Sequence, residues 1–213
     1  MPGKLLIFEG VDGCGKTTQF LKTSEYLFKK SKKNYLLLTR EPTLRKYGLQ
    51  VREILKCQTD PLKDAEKCLE LFAADRKDHW QNLIKPALDE GAIVLCDRFK
   101  YSAFAYQQAQ GLSLEKIVKA HEGIPEADLI LLFDLPASEA MHRMGKDIVR
   151  LGVEHKKFLN EKFEQEEFLE KVRNNFLSVA KTHSNFKVID SMPGIEQVWE
   201  KVQKELDEFF GYS

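Results

Sequence analysis

The ten residues from Glu9 to Thr18, EGVDGCGKTT, constrain this chain more than any other stretch. Their core, Gly10 to Thr17, fits GxxxxGK[ST] at every fixed position. The apolar run Leu5–Phe8 precedes it and predicts a buried strand, and a helical pattern from Lys16 follows it. A loop between two such elements must turn backbone N–H groups inward around an anion. Side chains hinder that turn, so Gly10, Gly13 and Gly15 suit it. The helix start adds partial positive charge. Lys16 has the reach for β- and γ-phosphates, and the Thr17 hydroxyl can ligate Mg²⁺. A chance match in a Gly-rich turn is the alternative, and the flanking strand and helix argue against it. The motif predicts a nucleotide phosphate site built from Gly10, Asp12, Gly13, Cys14, Gly15, Lys16, Thr17 and Thr18.

Strand and helix signals alternate along the rest of the chain. Short apolar runs at Leu5–Phe8, Tyr35–Leu38, Ile93–Cys96, Leu129–Phe133 and Phe186–Ile189 predict five parallel strands covered on both faces. Helical patterns fill the gaps: Lys16–Lys30, Leu49–Lys56, Ala65–Leu88, Ala103–Gln108, Leu114–His121, Ala137–Met144, Glu164–His183 and Ile195–Phe210. This βαβ alternation predicts a three-layer α/β/α fold of P-loop NTPase type. Right-handed crossovers then bring ligands to the carboxyl ends of the strands. With no repeat, linker or low-complexity tract, residues 1–213 read as one domain.

Composition narrows the function. Lys plus Arg equals Asp plus Glu at 33 each, so no global basic field argues for nucleic acid or an acidic membrane surface. No apolar run is long enough to span a bilayer, and Met1-Pro-Gly-Lys4 leads directly into the first strand without a signal peptide. Cys14, Cys57, Cys68 and Cys96 lack metal-like spacing and read as reduced thiols of a cytoplasmic protein.

Each predicted strand ends in polar residues: Glu9, Thr39-Arg40-Glu41-Pro42, Asp97-Arg98, Asp134 and Asp190-Ser191. Five such ends at one sheet edge predict an active-site rim. Asp97 is the expected second Mg²⁺ anchor beside Thr17, and Arg98 suits bidentate contact with phosphate; a structural Asp–Arg pair is the alternative. Phe72 and Arg76 are four apart on one helix face, where an aromatic ring and a guanidinium can stack a base and hold its polar edge. Alternatively, Phe72 is core and Arg76 a solvated charge. The Lys- and Arg-rich stretch at about 143–162 reads either as a mobile lid carrying cations over the phosphates or as a solvated helix face.

The ordered set FEGVDGCGKTT (Phe8–Thr18), TREP (Thr39–Pro42), LFAADR (Leu71–Arg76), DRFKYSAFAYQ (Asp97–Gln107), DLPASEAMHR (Asp134–Arg143) and FEQEEFLEKVRNNF (Phe163–Phe176) resembles the thymidylate kinase family of nucleoside monophosphate kinases. The resemblance implies phosphorylation of dTMP to dTDP with ATP as co-substrate and Mg²⁺ as cofactor, on a homodimer. It implies catalysis by Lys16, Arg98 and Asp97, and adenine packing by Arg143. On the acceptor it implies a 3′-hydroxyl contact from Asp12, phosphate contacts from Arg40 and Arg98, and stacking on thymine by Phe72. Arg76 would meet the carbonyl edge, Tyr106 would lie beside C2′, and Gln107 would contact base or sugar. The chain departs from the family pattern at several places. Thr43-Leu44-Arg45 stands where Gly-Gly-Thr is common and brings a cation toward the acceptor phosphate. Ala103 replaces a polar residue, Phe99 a Tyr, and Glu161-Lys162 an Asp-Arg pair. With Gly13-Cys14 in place of a catalytic Arg, the lid would supply the cations. Ala103 and the altered loop also motivate an alternative acceptor such as dUMP or a deoxynucleoside. A nucleotide-dependent switch or nucleic-acid-associated ATPase is the non-kinase alternative, and zero net charge weighs against it.

Overall fold

The structure, a computed structural model, describes residues 2–57, 64–151 and 162–212, with side chains except at 56–57, 146–151 and 162–165. Its strands are β1 (Lys4–Glu9), β2 (Leu36–Arg40), β3 (Ile93–Asp97), β4 (Leu129–Asp134) and β5 (Phe186–Asp190). All pair in parallel, in the order β2-β3-β1-β4-β5. Leu5 through Phe8 are buried, as a central strand covered on both faces requires. The edge strands differ from the expectation of full cover: Leu38 is 43% and Val188 49% exposed. Each strand runs one or two residues further at its carboxyl end than the apolar run predicts. The ladder continues to Arg40↔Asp97 and Asp134↔Asp190, because pairing depends on backbone and not on side-chain polarity.

The helices are α1 (Lys16–Lys30), α2 (Lys46–Cys57), α3 (Ala65–His79), α4 (Lys85–Asp89), α5 (Lys100–Ala109), α6 (Leu114–Ala120), α7 (Ala137–Leu151), α8 (Lys162–Lys181) and α9 (Ile195–Phe210). α1 and α9 pack together, while α3, α5 and α8 form a second group, so the sheet is flanked by helices as expected of an α/β fold. The single helix predicted over Ala65–Leu88 is interrupted. A π-turn at Trp80–Ile84 joins α3 to α4. Pro86 explains it: its ring would crowd the carbonyl of residue 82 in regular α geometry, and the wider turn relieves that. Half of the expected lid at about 143–162 falls outside the described residues: α7 carries the backbone to Leu151, and 152–161 are not described.

β1 lies between β3 and β4, so the chain changes direction across the sheet at its carboxyl end. That crevice is where an open parallel sheet binds ligands, and the Gly10–Gly15 loop occupies it. Gly15 caps α1 with a φ of +90°, left-handed backbone that favours glycine. Gly13 is constrained by space as well. A Cβ there would stand 2.4 Å from the Ala140 carbonyl oxygen, so α7 packs directly on the loop backbone.

Candidate active site

α1 begins at Lys16, which places its free N–H groups at the loop. The Lys16 ammonium is buried and donates to the carbonyl oxygens of Gly10 (3.1 Å) and Val11 (3.0 Å), with the Cys14 sulfur at 3.8 Å. The Cys14 side chain is buried, while Thr17 and Thr18 remain exposed. Thr17 Oγ1 lies 3.4 Å from Asp97 Oδ2, and an Arg40 nitrogen lies 3.6 Å from the same oxygen. Asp97 Oδ1 is buried without a hydrogen-bond partner among the described residues. An orphaned carboxylate oxygen beside a phosphate-loop hydroxyl fits a hard divalent cation. No group of three or more His, Cys, Asp or Glu side chains among the described residues could hold a metal unaided. That suits Mg²⁺, which commonly takes one or two protein ligands and completes its shell with water and substrate phosphate.

Next to the loop opens a cleft of about 620 Å³. Asp12, Arg40, Phe72, Arg76, Arg98, Tyr106 and Gln107, all expected at the acceptor, line it together. Phe72 and Arg76 do share a face of α3, but Arg76 is 2% exposed and not a solvated charge. Gln107 is buried with its carbonyl oxygen unpartnered among the described residues, and the buried Tyr106 hydroxyl likewise. Burial pushes the Tyr106 hydroxyl's pKa up. Ala103 presents only a methyl group to the cleft.

Arg98 is the pivot between cleft and loop. It pairs with Asp12 (2.6 Å) and not with Asp97, bonds Ser102 Oγ (3.0 Å), and lies over the Tyr106 ring at 5.3 Å. Its guanidinium, with Lys16 beyond, holds the Asp12 carboxyl down to about 2, although Asp12 is 66% exposed. Arg98 has a φ of +73°, an unfavourable region for a residue with a Cβ. Two neighbours hold it there. Its N–H donates to Phe8 O (2.9 Å), and its carbonyl accepts from the Cys96 thiol (3.1 Å). The following turn is fixed by Glu9, which accepts from the backbone of Phe99 (2.8 Å) and Ser102 (3.0 Å) and from the Ser102 hydroxyl (2.6 Å). Burial raises the Glu9 carboxyl to about 7, against the pull of Arg98 and those donors.

Beneath the cleft wall runs a buried polar chain. Thr39 Oγ1 meets His79 Nε2 (2.8 Å), and His79 Nδ1 meets Glu41 Oε1 (3.0 Å). Glu41 Oε2 accepts from Arg76 Nε (2.7 Å), and Arg76 Nη1 contacts His121 Nε2. The loop after β2 is closed by Asp75, which takes the Thr43 N–H (2.8 Å) and hydroxyl (2.5 Å). Arg45, expected as an added cation near the acceptor phosphate, turns to Asp78 at 3.2 Å. Arg52 of α2 lines the cleft in its place, held by the carbonyls of Pro42 and Thr43.

The other polar strand ends are taken up structurally. Asp134 forms a two-point pair with Arg173 (2.6 and 3.0 Å), and Asp190 pairs with Lys201 (3.0 Å). The expected rim therefore narrows to the ends of β1, β2 and β3. Arg143 stands apart from the cleft, donating to the carbonyls of Ser191 (3.0 Å) and Met192 (3.1 Å) in the loop after β5.

Comparison with known proteins gives the family. The family model described as thymidylate kinase matches residues 8–202. The chain belongs to the thymidylate kinase family. It is 34% identical over 206 residues to a probable thymidylate kinase of Pyrococcus abyssi, covering 95% of each chain. It is 39% identical over 179 residues to a thymidylate kinase of Desulfotalea psychrophila, covering 84% of this chain and 83% of that one. Against the thymidylate kinase of Caldicellulosiruptor saccharolyticus the identity is 35%, over 98% of each. As a thymidylate kinase family member the protein is a phosphotransferase with a P-loop fold, and no helix among the described residues is long and apolar enough to cross a membrane. In this family frame, sequence reasoning missed His79, His121, Arg52 and Ser102, and named Glu9 and Glu41 only as polar strand ends. Most of their deciding partners are distant in sequence, from 35 residues for Glu41–Arg76 to 93 for Glu9–Ser102, and no local pattern marks those.

Proposed function

We propose that this kinase transfers the γ-phosphate of ATP to dTMP, giving dTDP on the route to dTTP, with Mg²⁺ as its metal ion. The observation that carries this reading is the cleft itself. It joins the phosphate loop at Asp12 and Arg98, and holds an aromatic ring (Phe72), a buried guanidinium (Arg76) and the further guanidiniums of Arg40 and Arg52. That is the equipment for a flat base at one end and a phosphate at the other.

In this reading an acceptor phosphate oxygen attacks the γ-phosphorus in line. The bond to the β–γ bridging oxygen breaks, and ADP leaves. Lys16 and the loop N–H groups hold the donor phosphates, while Arg40 and Arg98 orient the acceptor phosphate. Thr17 and Asp97 would hold Mg²⁺, which supplies charge stabilisation to the phosphates when bound. Asp12 meets the 3′-hydroxyl, Tyr106 crowds C2′, and Arg76 and Gln107 read the base. Arg143 and the Ser191–Met192 carbonyls flank the adenine. The side chains of the lid cations at 146–162 lie outside what the structure describes. A cytoplasmic homodimer without nucleic-acid partners completes the reading.

Ala103 favours one variant of it: a methyl group toward the base leaves dUMP as an alternative acceptor. A deoxynucleoside acceptor fits less well, since it has no phosphate for Arg40, Arg52 and Arg98. ADP release with ATP and each of dTMP, dUMP, CMP, UMP and thymidine tests the assignment. The expected outcome is highest kcat/KM on dTMP; dTMP no better than CMP or UMP overturns it.

A further inference from the structure

His121 caps the carboxyl end of α6 and contributes no atom to the cleft wall, yet it touches Arg76, which does. The ring's state follows from its contacts. Nδ1 lies 2.8 Å from the Ile117 carbonyl oxygen, which can only accept, so the proton sits on Nδ1. Arg76 has only donors to offer, so Nε2 must present its lone pair to Nη1. A protonated imidazole would set N–H against N–H. Burial, reinforced by the Arg76 charge, keeps the ring neutral by lowering its pKa to about 3.

Glu41 holds the same guanidinium at Nε, and the Phe99 ring lies 5.7 Å from its centre. One anchor at Nε would leave the group free to turn about that contact. Two anchors in the plane fix its rotation. Resting on the dTMP reading above, we propose that His121 is a positioning residue for base recognition: it locks the Arg76 fork so that the remaining N–H groups face the 4-carbonyl of the acceptor pyrimidine. His79 and Thr39 extend the lock on the Glu41 side. The edge-on contact of the imidazole with Phe104 at 5.9 Å holds the ring itself in place.

The test compares wild type with His121→Phe, which keeps a ring against Phe104 but has no acceptor, and His121→Gln, whose amide oxygen reaches the position of Nε2. Losing a hydrogen bond to a charged group is expected to raise the dTMP KM about tenfold. The ATP KM and the kcat at saturating dTMP should stay within about twofold. His121→Gln should restore the dTMP KM. The preference for dTMP over 5-methyl-dCMP, which carries an amino group at C4, should fall in parallel with the KM effect. In an Arg76→Ala background the His121→Phe change should add nothing, which a merely structural role would not produce. Where His121→Phe fails to fold, ¹⁵N NMR of the wild-type histidines decides: a neutral Nδ1–H tautomer for His121 between pH 6 and 8 supports the proposal, and an Nε2–H tautomer or an imidazolium overturns it. A wild type that does not phosphorylate dTMP refutes the substrate reading and this role with it. A wild type that does, with the dTMP KM unchanged in His121→Phe, refutes the role alone.

Discussion

Glu9 shows how one side chain can serve backbone and charge at once. Its carboxylate is fully buried, yet it faces three donors and the Arg98 guanidinium. The donors and the cation favour the ionised form, and burial favours the neutral one. Burial prevails, raising the group from its ordinary 4.5 to about 7. The sign of the resulting pH dependence follows. Between those two values the folded protein keeps a proton that the unfolded chain releases, so stability falls as pH rises from about 4.5 to about 7. The loss over that window is on the order of 3 kcal/mol. Glu9→Gln keeps the volume and an acceptor for the two N–H groups, and should flatten that slope. Urea midpoints at pH 5 and pH 8 for both proteins check this; equal slopes in the two would refute it.

At the level of elements, α5 explains why some boundaries were legible and others were not. Its own sequence places the helical pattern at Ala103–Gln108, whereas it begins at Lys100. The early start is enabled by Glu9, which reaches over from β1 to receive the Phe99 and Ser102 N–H groups as an N-cap side chain would. A cap supplied 90 residues upstream leaves no local trace. α1 and α9 carry their signals locally, glycine before the first turn and a clear apolar face, and both were read with their observed ends. The contact of α7 with the phosphate loop was equally hidden, because it rests on a glycine chosen for a neighbour's carbonyl. Gly13→Ala must accommodate both a φ of +81° and the 2.4 Å approach to Ala140. It should lower stability by about 1–3 kcal/mol and raise the ATP KM. Gly145→Ala, with nothing within 4 Å, should instead stabilise α7 by up to about 1 kcal/mol. Urea unfolding of the two variants, with ATP kinetics, checks the contrast; equal effects would contradict the close packing.

For the molecule as a whole, the alternation of apolar runs and amphipathic patterns was enough to predict a five-stranded parallel sheet, and parallel strands necessarily gather their carboxyl ends on one edge. Which of those ends form the site was not legible. Asp134 and Asp190 satisfy the same pattern as Asp97 but are consumed by Arg173 and Lys201, partners fixed only by helix packing. Because the cleft is assembled from the ends of β1, β2 and β3 together with α2, α3, α5 and α8, its ligand ties many elements together. dTMP at about 100 times its Kd should stabilise the fold by about 2.7 kcal/mol, a Tm rise of about 5–10 °C for a chain of this size. CMP at the same concentration should give a much smaller shift, and differential scanning fluorimetry would expose an equal one. The pairing of Asp12 with Arg98 sets the terms of that binding. The Arg98 cation at the centre of the cleft already has an anion, supplied by the Gly10–Gly15 loop. On the reading proposed above, an acceptor phosphate at Arg98 would compete with that carboxylate, and the carboxylate, once released, would be free to meet the sugar. On that reading, occupancy of the cleft would be felt in the phosphate loop through a single exchanged ion pair, a hand-over from one half of the site to the other.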